Sequence, residues 1–213
     1  MYRRFGAFQC NLLLEGFYTR LNHVFVLEEI GKDEEHNAVI KERRNGQGAE
    51  VAGVTVEGKV AYLSLVQLQA GVTWQKSHYT RPEKWSKDSS VPAEKRIFRT
   101  PDWYGYFTAT YSPVKPLNIA LSGTYTGSMI VQHMKGYIPK DMAVTTPDFF
   151  DMNLKISYDF SLYKFITLQL NAGVQNIFNA YQRDFDQGKE RDSGYIYGPS
   201  MPRSYFAGAK LMF

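Results

Sequence analysis

Cysteine is almost absent from this 213-residue chain, in which Cys10 is the only one. A single cysteine excludes a disulfide framework or a cysteine-based zinc site within the chain. Long apolar runs are missing as well, since none approaches the roughly 18 residues that a transmembrane helix needs. Helical membrane spans are therefore excluded, whereas spans made of β-strands stay open because their signal in each segment is weak.

Charge of one sign is not concentrated anywhere in the sequence. The net charge is only +4, and 25 basic residues are interleaved with 21 acidic ones. A protein that binds nucleic acid would show a clustered basic face. Nucleic acid is therefore not expected as a partner.

Catalytic and metal-binding patterns are also scarce. No nucleophile, base and orienting group form a readable set, so we expect neither an enzyme nor a cofactor. The acidic segment 184–192 could supply oxygens to Ca²⁺, but it lacks the full spacing of a calcium loop, and a solvated loop is the simpler interpretation. Its acidic residues are Asp184, Asp186, Glu190 and Asp192. The histidines have no paired spacing and are interpreted as surface residues: His23, His36, His78 and His133.

A secretion signal is missing from the amino terminus. Arg3 and Arg4 resemble the basic start of such a signal, but polar residues from Gln9 onward interrupt the apolar segment that should follow, and no small-residue cleavage site appears. We therefore expect the chain to be part of a longer protein that starts upstream.

Aromatic residues and glycine are abundant, with 15 Tyr, 14 Phe, 3 Trp and 17 Gly. These residues suit strands, turns and membrane interfaces. Apolar and polar residues alternate strictly in several segments, which is the period of a strand with two different faces. The pattern predicts an all-β, antiparallel up-and-down meander of about eight long strands: 7–30, 50–63, 66–75, 103–112, 117–129, 150–160, 166–175 and 204–213.

The predicted connections alternate in length. Short ones lie at 63–65, 112–116 and 161–165, and long polar ones lie at 78–101, 132–148 and 177–203, with a charged one at 31–37. Outer-membrane barrels have short periplasmic turns and long external loops, so this alternation favours a membrane barrel over a soluble one. Asn45-Gly46 is a hairpin dipeptide, but a turn there would disturb the alternation, and we favour a bulge or loop tip at 46–48.

The alternation also predicts which side chains face lipid. Apolar residues of 150–160 are expected to face outward: Phe150, Met152, Leu154, Ile156 and Tyr158. Polar residues between them, such as Asn153 and Ser157, are expected to face a wet lumen, as are Glu15, Glu57, Lys59, Asp151, Lys155 and Asp159. Cys10 is expected to face lipid. An interfacial aromatic belt is predicted from Trp103, Tyr104, Tyr106, Tyr111, Tyr125, Tyr158, Phe160, Tyr163 and Phe165.

The final strand ends on an aromatic residue. Its pattern resembles the carboxyl-terminal assembly signal of outer-membrane barrels, through Phe206, Gly208, Leu211 and Phe213. Phe206 departs from that signal, because a large polar residue is more usual there.

Two further motifs resemble the TonB-dependent outer-membrane receptors. The segment 173–181 is similar to their Asn-Leu-Phe-Asn…Tyr motif, and 195–210 is similar to the Gly-Pro…Pro-Arg segment that leads into their last strand. The matching residues are Asn176, Phe178, Asn179, Tyr181, Gly198, Pro199, Pro202 and Arg203.

This resemblance implies that residues 1–213 are the carboxyl-terminal part of a larger receptor barrel, without its plug domain and first strands. It implies a Gram-negative outer-membrane location and uptake of a nutrient such as a siderophore, cobalamin or a glycan. The implied partners are outer-membrane lipid, the barrel-assembly machinery, the plug and first strands of the parent, and, through that parent, the TonB energy complex. The alternative is a self-contained eight-stranded barrel with a structural or adhesive role.

Deletion of Phe213 should lower the amount of the full-length receptor that assembles in the outer membrane, because it removes the aromatic end of the assembly signal. Ser90→Ala, in a predicted loop, serves as the control and should leave that amount unchanged. Surface labelling of both variants measures the effect, and equal surface levels would contradict the assignment of the signal.

Overall fold

The computed structural model describes residues 2–36 and 38–213 and contains no helix among them. The described residues therefore include no helical membrane span. The strands are β1 (Tyr2–Phe5), β2 (Phe8–Leu21), β3 (Phe25–Asp33), β4 (Ala38–Asn45), β5 (Ala49–Tyr62), β6 (Val66–Glu83), β7 (Glu94–Arg96), β8 (Trp103–Val114), β9 (Leu117–Thr126), β10 (Ile130–His133), β11 (Met142–Thr145), β12 (Phe149–Tyr163), β13 (Ile166–Gln175) and β14 (Ser204–Met212).

The main sheet has the order β1-β2-β5-β6-β8-β9-β12-β13-β14, and β7 pairs with β6 beside this path. All pairings in it are antiparallel, and its long strands follow one another along the chain as an up-and-down meander. The predicted fold class is therefore confirmed, and the main sheet contains eight long strands as predicted. Some of their predicted ends differ, because β2 stops at Leu21, β6 continues to Glu83 and β9 ends at Thr126. The short β1, which pairs with the start of β2, was not predicted.

The prediction of one strand over 7–30 is wrong. Pairing of β2 with β5 ends at Leu21 opposite Ala49, and the chain then enters a separate hairpin, β3–β4. The amide of Gly46 donates to the carbonyl of Val24 at 2.8 Å, so 46–48 closes the base of that hairpin instead of forming its turn. The turn lies in the charged connection predicted at 31–37, of which 31–33 belong to β3, 34–36 form a turn and Asn37 lies outside the described residues.

Cross-strand register assigns the two faces of the sheet. Directly paired residues share a face, and one apolar row runs from β2 to β12 through Leu14, Val56, Val72, Gly105, Tyr125 and Phe150. The adjacent row, through Leu13, Glu57, Gly71, Tyr106, Thr124 and Asp151, is predominantly polar. The same parity places Cys10 on the apolar face and Glu15, Lys59, Lys155 and Asp159 on the polar face, as predicted.

Burial is inverted relative to a water-soluble sheet. In β6 the polar-face residues Thr73 and Gln75 are 6% and 8% exposed, whereas Val72 and Trp74 on the apolar face are 44% and 40% exposed. Polar side chains thus lie on the enclosed side and apolar ones on the open side. This is the arrangement that a barrel wall needs when its outside meets lipid.

Two residues of the predicted aromatic belt are on the wrong face. Tyr104 and Tyr106 pair with Thr73 and Gly71, which puts both rings on the polar side. The adjacent Trp103 pairs with Trp74 on the apolar side. The aromatic composition of 103–106 could not separate these positions, because the parity is fixed only by the register with β6.

The sheet is not closed. β1 and β14 are its two ends, and no pair among the described residues joins them. A self-contained eight-stranded barrel requires such a pairing. The described fold is therefore not the closed small barrel that was the alternative interpretation of the sequence. β14 and the part of β2 beyond Asn11, where pairing with β1 stops, therefore present open strand edges.

Adjacent cysteines should test the register in the membrane. In a Cys10→Ser background, Ile156→Cys is expected to react with a lipid-soluble maleimide, and Lys155→Cys with a charged, water-soluble one. The reason is that a one-residue slip exchanges every side chain between the faces. Lipid-phase labelling at Lys155→Cys would contradict the register.

Candidate functional site: long loops tied together at one rim

All the long connections leave the main sheet at the same rim, because its consecutive long strands are antiparallel and the short turns occupy the opposite rim. We name them loop 1 (22–48), loop 2 (84–102), loop 3 (127–148) and loop 4 (176–203). Loop 1 contains the hairpin β3–β4, and loop 3 contains the hairpin β10–β11. The predicted sorting of connections by length is confirmed.

Loops 3 and 4 are joined by a buried histidine. Nε2 of His133 lies 2.9 Å and 3.0 Å from the two carboxylate oxygens of Asp186, and their side chains are 9% and 2% exposed. The imidazole also stacks on Tyr195, with centroids 3.7 Å apart. The interpretation of His133 as a surface histidine was wrong. Nearby, a side chain at Gly136 would collide with the carbonyl of Glu190, so the two loops approach closely there.

Asp184 accepts two tyrosine hydroxyls within loop 4. Tyr197 donates to it at 2.6 Å and Tyr195 at 2.8 Å. Burial opposes ionisation of Asp184, but the two hydroxyl donors outweigh it and hold the pKa of Asp184 below the ordinary 3.8. Burial and the bond to Asp184 raise the pKa of Tyr195 to about 12 and raise the pKa of Tyr197 as well.

The acidic segment 184–192 uses its oxygens as hydrogen-bond acceptors. Besides the contacts of Asp184 and Asp186, Asp192 accepts the amides of Met134 and Gly194, each at 2.8 Å. The segment therefore fixes loop 4 on itself and on loop 3. Within residues 2–36 and 38–213, no group of three or more His, Cys, Asp or Glu side chains is arranged to hold a metal ion.

Asp141 joins loop 2 to loop 3. Its carboxylate is buried and accepts the hydroxyl of Ser86 at 2.6 Å and the amide of Lys135 at 2.7 Å. One side chain of loop 3 thus positions a residue of loop 2 and closes the turn of its own loop.

Arg99 joins loop 2 to loop 4. Its guanidinium donates to the carbonyl of Ile196 at 2.6 Å and to that of Gly194. Its own amide donates to the carbonyl of Ile130 in β10 at 2.8 Å. A single residue of loop 2 therefore contacts both other loops, and loops 2, 3 and 4 form one assembly.

Loop 1 is attached separately. Glu83, at the end of β6, is buried and accepts the amide of Gln47 at 2.9 Å and the guanidinium of Arg44 at 3.3 Å. These contacts hold the base of the hairpin β3–β4 against the extended strand β6.

Two asparagines of the receptor-like motif close the base of loop 4. Asn176 is 4% exposed. Its side-chain amide donates to the carbonyls of Ala180 and Met201, and its side-chain oxygen accepts the amide of Ala180. Asn179 accepts the amide of Arg203 at 2.9 Å. Both have positive φ, 50° and 55°, which asparagine tolerates better than most residues. The start and end of loop 4 are thereby held together.

The other motif residues lie around this base. Phe178 packs against Phe150, with centroids 5.8 Å apart, and Tyr181 lies under the guanidinium of Arg183. A side chain at Gly198 would come within 2.7 Å of Phe149, so glycine allows this approach. Pro199 and Pro202 belong to the irregular segment that leads into β14.

The residues of the terminal signal divide between the faces of β14. Phe206 and Gly208 pair with Gly173 and Asn171 on the polar side, and Leu211 pairs with Leu168 on the apolar side. Phe213 follows the strand and is 90% exposed. Its role in assembly remains a prediction.

Below the loops, the polar face carries a concavity of about 500 Å³ over β5, β6, β8 and β9. Tyr106 donates to Glu57 at 3.1 Å and accepts from Gln69 at 3.2 Å. The hydroxyls of Thr55 and Thr73 are 2.9 Å apart. The enclosed face is thus a hydrogen-bonded polar surface that continues upward to the loops.

The sequence of this chain matches a known protein family. The family model for the β-barrel of TonB-dependent receptor-like proteins matches residues 4–177. The chain belongs to this family. No curated protein matches it in sequence.

Solved structures share the fold of this TonB-dependent receptor chain. They include the ferric-catecholate import receptor Fiu of E. coli K12, with a TM-score of 0.58, 19% identity, and 96% of this chain and 27% of that one covered. The siderophore receptor PirA of Acinetobacter baumannii has a TM-score of 0.59 and 14% identity, with 100% and 30% covered. The ferric enterobactin receptor PfeA of Pseudomonas aeruginosa has a TM-score of 0.58 and 16% identity. That match covers 99% of this chain and 29% of the PfeA chain. The chain therefore spans less than a third of each receptor.

Sequence inspection missed the residues that connect the loops. Besides His133, these are Arg99 and Asp141. Gln182 was missed as well, and it fixes loop 4 on itself, because its amide group bonds the backbone of Tyr195 and Tyr197 at 3.0 Å and 2.9 Å. Arg99, Asp141 and Gln182 stand in irregular segments without periodicity, His133 ends the short strand β10, and each contacts residues far along the chain or across a loop. No local pattern marks them.

Loop 4 should loosen in acid through Asp184. The pKa of Asp184 is lower in the folded protein than the ordinary 3.8. The stability that ionised Asp184 contributes is therefore present above pH 3.8 and is lost as the pH falls through the pKa of the folded state. We expect hydrogen exchange at the amides of Tyr195 and Ile196, corrected for intrinsic rate, to accelerate about fivefold in this acid range, since hydrogen bonds to a partly exposed carboxylate contribute on the order of 1 kcal/mol.

Asp184→Asn should exchange faster already at neutral pH and should lack the acid step. Asp148→Asn, an exposed aspartate of loop 3, is the matched control and should retain the step. If the acid-induced acceleration of exchange were unchanged in Asp184→Asn, another carboxylate would be responsible for it.

Proposed function

We propose that residues 1–213 are the carboxyl-terminal part of a TonB-dependent outer-membrane receptor, and that loops 2, 3 and 4 form part of its external ligand-binding surface. The observation that carries this proposal is the assembly of those loops by Arg99, Asp141 and the His133–Asp186 pair above a polar wall. Binding surfaces lie on loops held by a rigid scaffold, and fixed loops lose less entropy when they bind.

The parent receptor supplies what these residues do not form. The open edges at β2 and β14 fit a wider barrel in which earlier strands pair with both. Residues 1–213, wall and loops together, cover 27–30% of the length of similar receptors. On this proposal, the plug, the first strands and the contact with TonB lie in the sequence upstream, and the genomic region before Met1 should encode them in frame.

Ferric siderophores are the first ligand class to test, because the similar structures are named as receptors for siderophores or ferric complexes. Their low identity supports only the fold, so cobalamin and glycans form the comparison arms. A ligand of any of these classes would have to meet loops 2–4 before it reached the polar wall.

Arg99→Ala in the parent receptor should weaken ligand binding about tenfold, because hydrogen bonds to a charged group contribute about 1.5–3 kcal/mol and these two join loops 2 and 4. Arg191→Ala is the matched control, since in the described part of the chain Arg191 bonds the carbonyl of Gly188 within its own loop 4, at 3.1 Å, and no other loop. Binding and uptake of radiolabelled ferric siderophore measure both variants.

Two outcomes would contradict the proposal. Equal affinity in Arg99→Ala and Arg191→Ala would show that the loop assembly does not shape the binding surface. Energy-dependent uptake by cells that make only residues 1–213 would show that the chain is not part of a larger receptor.

A further inference from the structure

A groove of about 480 Å³ crosses the apolar face of β2, β5 and β6 below the loop rim. It spans two adjacent rows of the sheet, Gly16–Val54–Trp74 and Tyr18–Ala52–Lys76. These six of its eight lining residues have the parity of the apolar face, and Phe17 and Gly53 line it from the intervening row. The groove therefore opens toward the membrane.

Small residues create the depth of this groove. Gly16 shares one row with Trp74, and Ala52 shares the next row with Tyr18, so a small residue stands beside a large aromatic one in each row. A β-carbon placed on Gly16 would meet no atom within 4 Å, so no side chain of the described residues fills the space above it. The site is therefore a furrow in the apolar face that Tyr18 and Trp74 border.

The upper end of the groove lies at headgroup height. Trp74 and Trp103 stand side by side, with centroids 6.4 Å apart, and such tryptophans mark the membrane–water interface. Directly above Trp74 on the same face is Lys76, whose side chain is 61% exposed. Arg20 lies one row higher and is 60% exposed.

Both cations are available to a stronger anion. Lys76 pairs with Asp102, which is itself 44% exposed, and Arg20 contacts Glu50 at 3.6 Å. His78 also faces Glu50 at 3.6 Å. Exposed pairs of this kind contribute about 0–1 kcal/mol, so a phosphate group at the end of the groove can replace a carboxylate partner at little cost.

We propose that this groove binds one acyl chain of an anionic, phosphate-bearing lipid of the surrounding leaflet, with Lys76 contacting the phosphate. The apolar furrow and the cation at its interfacial end match the two parts of such a lipid. A free phosphate ion would leave the furrow empty. The site is independent of nutrient binding, since it lies on the opposite face from the polar wall.

Quenching of Trp74 fluorescence by brominated lipids tests this proposal. Trp85→Phe and Trp103→Phe leave Trp74 as the only one of the 3 tryptophans. The full chain in this background is placed in bilayers of phosphatidylcholine with either dibrominated phosphatidylglycerol or dibrominated phosphatidylcholine. The relative association constant at Trp74 should favour phosphatidylglycerol about fivefold, the factor that one basic residue supplies near an anionic surface.

Four variants separate the two parts of the site. Lys76→Gln should abolish the preference for phosphatidylglycerol, and Lys76→Arg should keep it. Gly16→Leu should fill the groove and reduce quenching by both lipids. Gly58→Leu is the matched control, because Gly58 has the same parity and a β-carbon placed on it would likewise meet no atom within 4 Å.

Equal association of the two lipids would overturn the proposal, as would a preference that survives in Lys76→Gln. Equal quenching in Gly16→Leu and Gly58→Leu would show that no chain occupies the groove. Loss of the preference on addition of inorganic phosphate alone would identify a soluble anion site in place of a lipid site.

Discussion

The constraint on which the structure depends is the parity that antiparallel pairing preserves from strand to strand. Each backbone hydrogen bond between strands also fixes which side chains share a face, and a slip of one residue would exchange the faces. Among the eight long strands, register shifts occur only beside the short turns, between Ser161 and Tyr163 and between Tyr111 and Val114. The central parts of these strands keep their parity, and one apolar face extends across the sheet.

This parity explains why the two sides of the wall have different chemistry. The polar face can hold hydroxyl, amide and carboxyl groups because they bond one another, as Tyr106 does with Glu57 and Gln69. The apolar face needs no such partners and can carry exposed tryptophan, leucine and valine. Where Gly16 and Ala52 interrupt the large apolar side chains beside Lys76, the same face carries the groove proposed to bind a lipid.

The loops depend on the wall in a different way. The sheet delivers their ends to one rim, but their arrangement there comes from side chains that bond the backbone or side chains of another loop. Arg99, Asp141 and His133 each contact a residue distant in sequence. A surface formed in this way can vary its outline through loop length and composition while the wall below retains its register.

The sequence by itself determined the number of long strands in the main sheet, the sorting of loops and the lipid-facing parity, because period-two alternation is a local property that pairing can only preserve. It also allowed assignment to a receptor family through the motifs at Asn176, Gly198 and Phe206. Only the tertiary structure decided that 7–30 is divided, that Tyr104 and Tyr106 face the polar side, and that His133 is buried on Asp186. These features arise from contacts between segments far apart in the chain, and no local pattern encodes the partner of such a contact.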